Sequence, residues 1–207
     1  MNTLPPAHLR TNSAALKPMS PVELFDLSGK TAVVIGGTGE LCGAIAEGLA
    51  AANAEVVLVG RDPAKAEKRL ETIGALGGRG YFIAADASKR GDLQLVLDAV
   101  LERSKSCDIL VNGAGVNSAT PFLDITEEEF DRIVRVNLKG VFLGCQAALP
   151  SMMHERTGRI VNIASLSAVH SPAGQTNYAA AKAGVIGLTQ SLAKETARMG
   201  IFERWNA

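Results

Sequence analysis

The chain has 207 residues, of which 47% are hydrophobic, and this is enough to bury the core of one sizeable α/β domain. Its 21 Lys and Arg balance its 21 Asp and Glu, so the net charge gives no reason to expect nucleic acid or a membrane surface as a partner. The three cysteines lack CxxC spacing, so we expect reduced thiols, neither a disulfide framework nor a metal site. No apolar run reaches about 18 residues, and we therefore expect no transmembrane helix.

The first 23 residues contain several prolines and no long apolar stretch. This pattern is not typical of a secretory signal or of an amphipathic helix. We predict a disordered tail over residues 1–23, one domain over residues 24–207, and a cytoplasmic location.

From Lys30 onward, short apolar runs alternate with helix-length segments. The apolar runs are nearly continuous, which indicates strands that are buried on both faces. Strands are predicted at 31–35, 55–59, 80–84, 109–111 and 159–163, and helices at 40–52, 63–73, 89–103, 126–153 and 176–199. Alternation of this kind predicts right-handed crossovers and a doubly wound, parallel α/β sheet of about five strands.

Chemically distinctive residues follow each predicted strand. The carboxyl ends of parallel strands meet at one edge of a sheet, where such folds bind their ligands. A glycine-rich loop that opens into a helix can hold a diphosphate on its bare backbone and on the helix N-terminus. In strand order the segments are Gly36-Gly37-Thr38-Gly39, Gly60-Arg61, Asp86-Ala87, Asn112-Gly-Ala-Gly115 and Ser165.

Tyr178 and Lys182 lie four positions apart on a predicted helix, which places both side chains on one face. A free tyrosine has a pKa of about 10, so acid/base chemistry near neutral pH needs roughly 4 kcal/mol of bias toward the phenolate. One ammonium about 4 Å away supplies about 4 kcal/mol at an effective dielectric constant of about 20. The pair therefore predicts a proton donor.

Taken together, these segments resemble the short-chain dehydrogenase/reductase family over roughly residues 27–200. The resemblance implies a Rossmann-type sheet that binds NAD(H) or NADP(H), and hydride transfer between the nicotinamide and a carbonyl or alcohol carbon of a small molecule. It implies that Tyr178 is the general acid/base and that Ser165 hydrogen-bonds the substrate oxygen. Lys182 would assist Tyr178 and bind the nicotinamide ribose, and Asn137 would hold a water that links Lys182 to solvent.

The same resemblance implies a set of cofactor-binding residues. Asn112, Ala114 and Gly115 match the family's NNAG segment, with Gly113 in place of the second Asn, and Asp86 matches the carboxylate that contacts adenine. The full set is Gly36, Gly37, Thr38, Gly39, Leu41, Arg61, Asp86, Ala87, Asn112, Ala114, Gly115, Tyr178 and Lys182.

Gly60 and Arg61 favour NADP(H) over NAD(H). An acidic residue at the end of the second strand would bind the ribose 2′-hydroxyl and repel a 2′-phosphate, whereas an arginine accommodates that phosphate. Asp62 follows directly, and NAD(H) remains the alternative because the backbone could turn this carboxylate inward.

Two features depart from the family. The glycine loop carries Glu40 and Cys42 where the family has its second and third glycines, unless the register slips by one to use Gly43. The altered loop and the entry segment at residues 24–30 are similar to those of sugar-acid and polyol oxidoreductases. The segment from Asn177 to Lys182 is equally similar to that of 3-oxoacyl-carrier-protein reductases.

The second departure lies after the Tyr/Lys helix, where residues 199–207 lack the family's Pro-Gly turn. We expect a C-terminally truncated domain that lacks the family's last two strands, leaving the fifth strand as an exposed edge. The helices at 126–153 and 176–199 are those through which relatives pair, so we expect a homo-oligomer, a dimer or a tetramer. Two functions stay open: an NAD(P)-dependent oxidoreductase, or a catalytically impaired remnant that acts as a dinucleotide-binding or interaction module.

Overall fold

The computed structural model describes residues 24–206, so the expected tail at residues 1–23 lies outside the described residues. These residues form one parallel sheet with helices on both faces, which confirms the doubly wound α/β class. The strands are β1 Thr31–Ile35, β2 Glu55–Gly60, β3 Arg79–Ala84, β4 Ile109–Asn112, β5 Gly158–Ile163 and β6 Ile201–Asn206.

The strand order in the sheet is β3-β2-β1-β4-β5-β6, and every neighbouring pair is parallel. Strands β2 and β3 therefore lie on one side of β1, and β4, β5 and β6 lie on the other side. This reversal of strand order creates a crevice between the loops that follow β1 and β4, the point where such sheets bind ligands.

The expectation of five strands was wrong, because residues 201–206 form a sixth. β6 pairs with β5 in register from Gly158 opposite Ile201 to Ile163 opposite Asn206, so β5 is an interior strand and not an exposed edge. The unpaired backbone groups of β5 provide a template for this strand. One of the two strands that we expected to be lacking is therefore present.

The helices agree closely with the predicted segments, except that the predicted helix at 126–153 is divided in two. They are α1 Glu40–Ala51, α2 Pro63–Ala75, α3 Arg90–Ser104, α4 Glu127–Val134, α5 Gly140–Glu155 and α6 Thr176–Thr196. The predicted helix at 126–153 is divided by a π-helical segment, Arg135–Lys139, that joins α4 to α5. Single π turns of this kind occur frequently at functional sites.

The sheet is buried on both faces because alternate side chains of each strand enter different cores. Val33 and Ile35 pack with α3, α5 and α6, whereas Ala32 and Val34 pack with α1 and α2. The three cysteines are buried and free, as expected. Over residues 24–206, no helix combines the length and the apolar character needed to cross a membrane.

Candidate active site

A cleft of about 740 Å³ opens along the carboxyl edge of the sheet, over the crevice between β1 and β4. This volume lies within the range of about 300–1,000 Å³ that is typical of small-molecule and cofactor sites. Eight of the predicted cofactor-binding residues line it: Gly36, Thr38, Gly39, Arg61, Asp86, Ala87, Ala114 and Gly115.

Three other predicted residues of the loops lie outside this cleft. Gly37 is buried beneath its loop, where an added Cβ would stand 2.9 Å from Leu58 Cδ2. Leu41 projects from the first turn of α1 and is 61% exposed. Asn112 is buried at the end of β4, where its Nδ2 donates to Asn162 Oδ1 at 2.8 Å.

Gly36 begins the loop between β1 and α1 and has a φ of +86°, which strongly favours glycine. Its N–H donates to the carbonyl of Val59 at 2.8 Å, and an added Cβ would stand 2.7 Å from the backbone nitrogen of Ala114. The loop then enters α1 with Gly39 as the N-cap, which supplies no side-chain hydrogen bond. The first-turn N–H groups of α1 are thus left for an anion.

Glu40 and Gly43 show how the altered glycine loop is accommodated. The Glu40 side chain is fully exposed and its carboxylate lies 3.6 Å from Arg69 of α2, so it points away from the loop backbone. An added Cβ on Gly43 would lie 2.4 Å from Arg69 Nε, so Gly43 leaves room for Arg69, which also pairs with Glu47. Gly43 therefore serves the packing of α1 against α2.

The end of the cleft near β2 carries the residues that distinguish the two nicotinamide cofactors. An added Cβ on Gly60 would lie 2.6 Å from Thr38 Oγ1, so Thr38 occupies the place that a larger side chain at position 60 would need. Asp62 is the N-cap of α2 and accepts from the backbone N–H of Lys65 at 3.1 Å. Its carboxylate is thus engaged in capping α2, and both Asp62 and the exposed Arg61 line the cleft.

Asp86 forms a turn as well as part of the cleft wall. Its Oδ1 accepts from the backbone N–H of Ser88 at 2.9 Å and from the Ser88 hydroxyl at 2.8 Å. The backbone hydrogen bond from Ser88 is the main reason why the pKa of Asp86 lies below its ordinary value. The carboxylate is therefore ionised at neutral pH and available as an acceptor.

Sequence reasoning did not identify several residues that line the cleft. Lys65 lies in the first turn of α2, directly after the loop that carries Arg61, so its place near the end of β2 could have indicated it. Val116 and Val136 enter the cleft wall only because the loop after β4 folds against the π segment, and no local signal marks them. The residues concerned are Val59, Lys65, Gly113, Val116 and Val136.

Lys182 is buried behind the cleft and has only 3% of its surface exposed. Its Nζ donates to the carbonyl of Ile163 at 2.7 Å and lies 5.8 Å from the centre of the Tyr178 ring. An added Cβ on Gly115 would lie 3.9 Å from Lys182 Nζ. Because Gly115 lines the cleft, the ammonium lies just behind the cleft wall. Burial lowers the pKa of Lys182 to about 8.

Ser165 follows β5 and is half-buried, and its Oγ accepts from the backbone N–H of Ser167 at 3.2 Å. The Ser167 hydroxyl instead donates to Gln175 Oε1 at 2.9 Å. Asn137 is buried in the π segment, where its Nδ2 donates to the carbonyls of Val116 at 2.8 Å and Ile133 at 3.0 Å.

The four predicted catalytic residues are not among the residues that line the cleft, but two of them lie directly behind its wall. Asn137 lies on the π segment and Lys182 on α6, and both border Gly115 in the cleft wall. Tyr178 lies one turn before Lys182, and α6 packs against the turn that follows Ser165. The arrangement places a buried cation 5.8 Å from the ring centre of a phenol, behind the part of the wall that Gly115 forms.

The lining fits a dinucleotide that carries a nicotinamide. Bare backbone at Gly36 and the N-terminus of α1 suit a diphosphate, because both present N–H groups without a side chain in the way. Arg61 and Asp86 provide a cation and an acceptor for the adenosine end. The part of the cleft wall at Gly115 adjoins Lys182.

Comparison with known proteins agrees with this description. A sequence model of the family described as short chain dehydrogenase matches residues 30–202. The 3-oxoacyl-(acyl-carrier-protein) reductase FabG of Vibrio cholerae is 38% identical over 177 residues, which is 86% of this chain and 71% of that protein. The 4-formylbenzenesulfonate dehydrogenase TsaC1/TsaC2 of Comamonas testosteroni is also 38% identical, with the same shares of both chains.

Solved structures show the same architecture. A metagenomic short-chain oxidoreductase in complex with NADP superposes with a TM-score of 0.83 at 34% identity, covering 86% of this chain and 81% of the other. A short-chain alcohol dehydrogenase from Sinorhizobium meliloti gives a TM-score of 0.82 at 36% identity, covering 86% of this chain and 70% of the other. The chain therefore belongs to the short-chain dehydrogenase/reductase family of oxidoreductases.

Proposed function

We propose that this protein is an NADP(H)-dependent oxidoreductase that interconverts a carbonyl and a secondary alcohol, with Tyr178 as the general acid/base. The observation that carries the proposal is the burial of Lys182 beside the Tyr178 ring, immediately behind the cleft wall at Gly115. Burying an ammonium costs free energy, and ionisable groups that are buried at such a cost are concentrated at functional sites. In this proposal the charge of Lys182 stabilises the phenolate of Tyr178.

The bound nicotinamide supplies or accepts the hydride, and the protein residues manage the proton. As the substrate carbon gains hydride, its oxygen acquires negative charge, and Tyr178 donates its proton to that oxygen. The charge of Lys182 stabilises the phenolate that remains. Ser165 Oγ, at the end of β5, donates a hydrogen bond to the same substrate oxygen and fixes its position.

In this proposal Asn137 helps to restore the proton that Tyr178 gives to the substrate. Its side chain joins the π segment to the loop after β4 through both polar groups of Val116. An added Cβ on Gly115 would stand 2.9 Å from Asn137 Oδ1 and 3.9 Å from Lys182 Nζ, so the two groups border one small space. A water in that space would connect Lys182 with solvent and restore the proton after each turnover.

Replacing Tyr178 with phenylalanine tests the assignment directly. Tyr178→Phe should lower kcat by about 10² to 10⁴-fold, because it removes the proton donor, while the Kd for NADPH stays within about threefold. The rate is measured with acetoacetyl thioesters, aromatic aldehydes and polyols. The only other tyrosine, Tyr81, provides a matched control, since Tyr81→Phe should retain full activity.

Two results would contradict the proposal. Retained activity in Tyr178→Phe would exclude the phenol as the proton donor. A wild-type protein that binds NADPH and turns over no substrate of the panel would instead favour the alternative of a dinucleotide-binding module.

The preference for NADP(H) is argued from the end of the cleft near β2. Position 60 carries no acidic side chain, and the Asp62 carboxylate at this end accepts the backbone N–H of Lys65. The exposed Arg61 also lines this end, where it can meet a 2′-phosphate. The related structure in complex with NADP supports the same choice.

Arg61→Ala should raise the KM for NADPH about tenfold or more and change the KM for NADH less than threefold, because only NADPH carries the 2′-phosphate. Arg79→Ala, at the amino end of β3, is the control and should change neither value. At least tenfold better use of NADH by the wild-type protein would overturn the preference.

The substrate proposed is a 3-oxoacyl compound rather than a polyhydroxylated sugar. Several similar proteins are 3-oxoacyl-(acyl-carrier-protein) reductases. Leu166 and Val169, which follow Ser165, are exposed and offer apolar contact to an acyl chain. Higher kcat/KM on polyols than on acetoacetyl thioesters would overturn this choice. We also propose that the protein forms a homo-oligomer through α4, α5 and α6.

A further inference from the structure

The thiol of Cys42 occupies the space directly over Gly113, where the loop after β4 passes the first turn of α1. A Cβ built on Gly113 would lie 2.0 Å from Cys42 Sγ and 3.1 Å from Ile163 Cγ1. Non-bonded carbon and sulfur atoms cannot approach to 2.0 Å in a close-packed interior. A side chain at position 113 therefore requires the Cys42 thiol to move or a smaller residue at position 42.

Cys42 acts here through its volume. It is buried in the same apolar cluster as Val111 and Ile163. Burial raises the pKa of the Cys42 thiol above its ordinary value, so the thiol is neutral at physiological pH and is not a nucleophile.

The contact between Cys42 and Gly113 lies between the two halves of the proposed site. Cys42 belongs to the first turn of α1, whose N-terminus faces the cleft, and Gly113 lines that cleft. Ile163, which borders both, accepts the hydrogen bond of Lys182 at 2.7 Å through its carbonyl. A change of size at this contact would displace the helix N-terminus and the ammonium together.

We propose that Cys42 and Gly113 form a size-matched pair that positions the N-terminus of α1 for the cofactor diphosphate and, through Ile163, the ammonium of Lys182. Cys42 is a positioning residue in this role.

The identification of the ligand as a cofactor diphosphate rests on the proposed function, whereas the size match between Cys42 and Gly113 does not. The test compares four proteins: wild type, Gly113→Ala, Cys42→Gly and the double variant. The Kd for NADPH is measured by fluorescence titration and the melting temperature in the absence of ligand. Gly113→Ala should bind NADPH at least tenfold more weakly, and the double variant should return to within about threefold of wild type.

Gly48→Ala is the matched control, because Gly48 lies on the same helix and an added Cβ there meets nothing within 4 Å. It should leave the Kd unchanged. Loss of packing alone would lower the melting temperature without changing the Kd of the folded protein. The proposal is overturned if Gly113→Ala binds NADPH as wild type does, or if the double variant binds as weakly as Gly113→Ala.

Should Gly113→Ala fail to fold, the proposal requires the double variant to fold, and failure of both would contradict it. If the wild-type protein binds no NADPH, the proposed function is overturned instead. The melting temperatures then still test the pair, since non-additive effects of the two substitutions support it and additive effects overturn it.

Discussion

Lys182 lies on α6, one helical turn after Tyr178. The four-residue spacing from Tyr178 predicted a shared helical face, because residues at i and i+4 are neighbours on a helix. Spacing alone does not show whether such a lysine is solvated. The structure buries it behind Gly115, with the carbonyl of Ile163 as a hydrogen-bond acceptor, and this burial lowers its pKa to about 8.

The lowered pKa of Lys182 predicts a pH dependence of stability. The unfolded lysine has an ordinary pKa near 10.5, so between about pH 8 and 10 the unfolded chain binds the extra proton. Stability should therefore rise with pH over this window, as the cost of burying the ammonium disappears. Relative to Lys182→Met, the free energy of unfolding of the wild type should increase by roughly 1 kcal/mol per pH unit.

Urea unfolding at pH 7, 8, 9 and 10 measures this difference. Lys194→Met replaces an exposed lysine of the same helix and serves as the control, for which no such slope relative to wild type is expected. A constant difference between wild type and Lys182→Met from pH 8 to 10 would show that the ammonium is not buried as described.

At the scale of elements, β6 and the π segment are the two features that sequence patterns did not predict. Residues 199–207 lack the family's Pro-Gly turn, so no strand was predicted over residues 201–206. In the structure, alternation places Ile201 and Trp205 against the core while the neighbouring side chains face outward. The strand forms because β5 offers a complete set of backbone partners.

The π segment Arg135–Lys139 has a similar origin. Its sequence continues the apolar periodicity of α4, so the pattern predicted one helix over residues 126–153. The segment places Asn137 where its amide can satisfy both backbone groups of Val116. A distant loop thus determines the local helical geometry.

Glu203 of β6 provides the prediction at this scale. Its Oε2 is buried without a hydrogen-bond partner, and Thr196 Oγ1 donates to Oε1 at a long 3.3 Å. Burial raises the pKa of Glu203 to about 7 from an ordinary 4.5, and the nearby Glu195 adds to the effect. The folded protein therefore holds this proton more tightly than the unfolded chain does, so stability falls as the pH rises from about 4.5 to 7.

Glu203→Gln removes that dependence. At pH 8 the variant should be more stable than wild type by about 2 kcal/mol, which raises the melting temperature by about 5 °C. The difference should shrink toward zero at pH 4.5 to 5. Glu195→Gln, which removes an exposed carboxylate nearby, is the control and should give a much smaller gain. An equal gain at pH 5 and pH 8 would contradict burial of the Glu203 carboxylate.

At the scale of the whole molecule, α4 and α5 expose several large apolar side chains. Phe130 of α4 and Phe142 and Met153 of α5 are each more than two-fifths exposed. Apolar surface of this kind is typical of an interface between subunits. It supports the proposed homo-oligomer.

Phe142→Glu should shift the protein toward the monomer, because a carboxylate in a closely packed interface loses its hydration. Light scattering coupled to size-exclusion chromatography measures the mass. Leu95→Glu introduces the same charge at a 70% exposed site on α3 and should leave the mass unchanged. A wild-type protein that is monomeric at tens of micromolar would overturn the proposed association.

The predicted fold followed largely from two periodicities. Continuous apolar strands and intervening helices predicted the parallel sheet, and its carboxyl edge gathered most of the predicted cofactor residues into one cleft. Gly37, Leu41 and Asn112 were placed with them by motif position but lie outside it. Motif position specifies a place along the chain, whereas lining a cleft depends on the direction that each residue faces once its loop has folded.

The sequence by itself determined the alternation of strands and helices, because this depends on periodicity, and the resemblance of its motifs indicated the family that the comparisons show. The roles of Asn137, Ser165, Tyr178 and Lys182 rest on that resemblance and stay predictions. Only the tertiary structure decided the sixth strand, the π segment, the burial of Lys182 and the contact between Cys42 and Gly113. Each of these joins residues that are far apart in sequence. Such contacts depend on how elements pack, which no local pattern specifies.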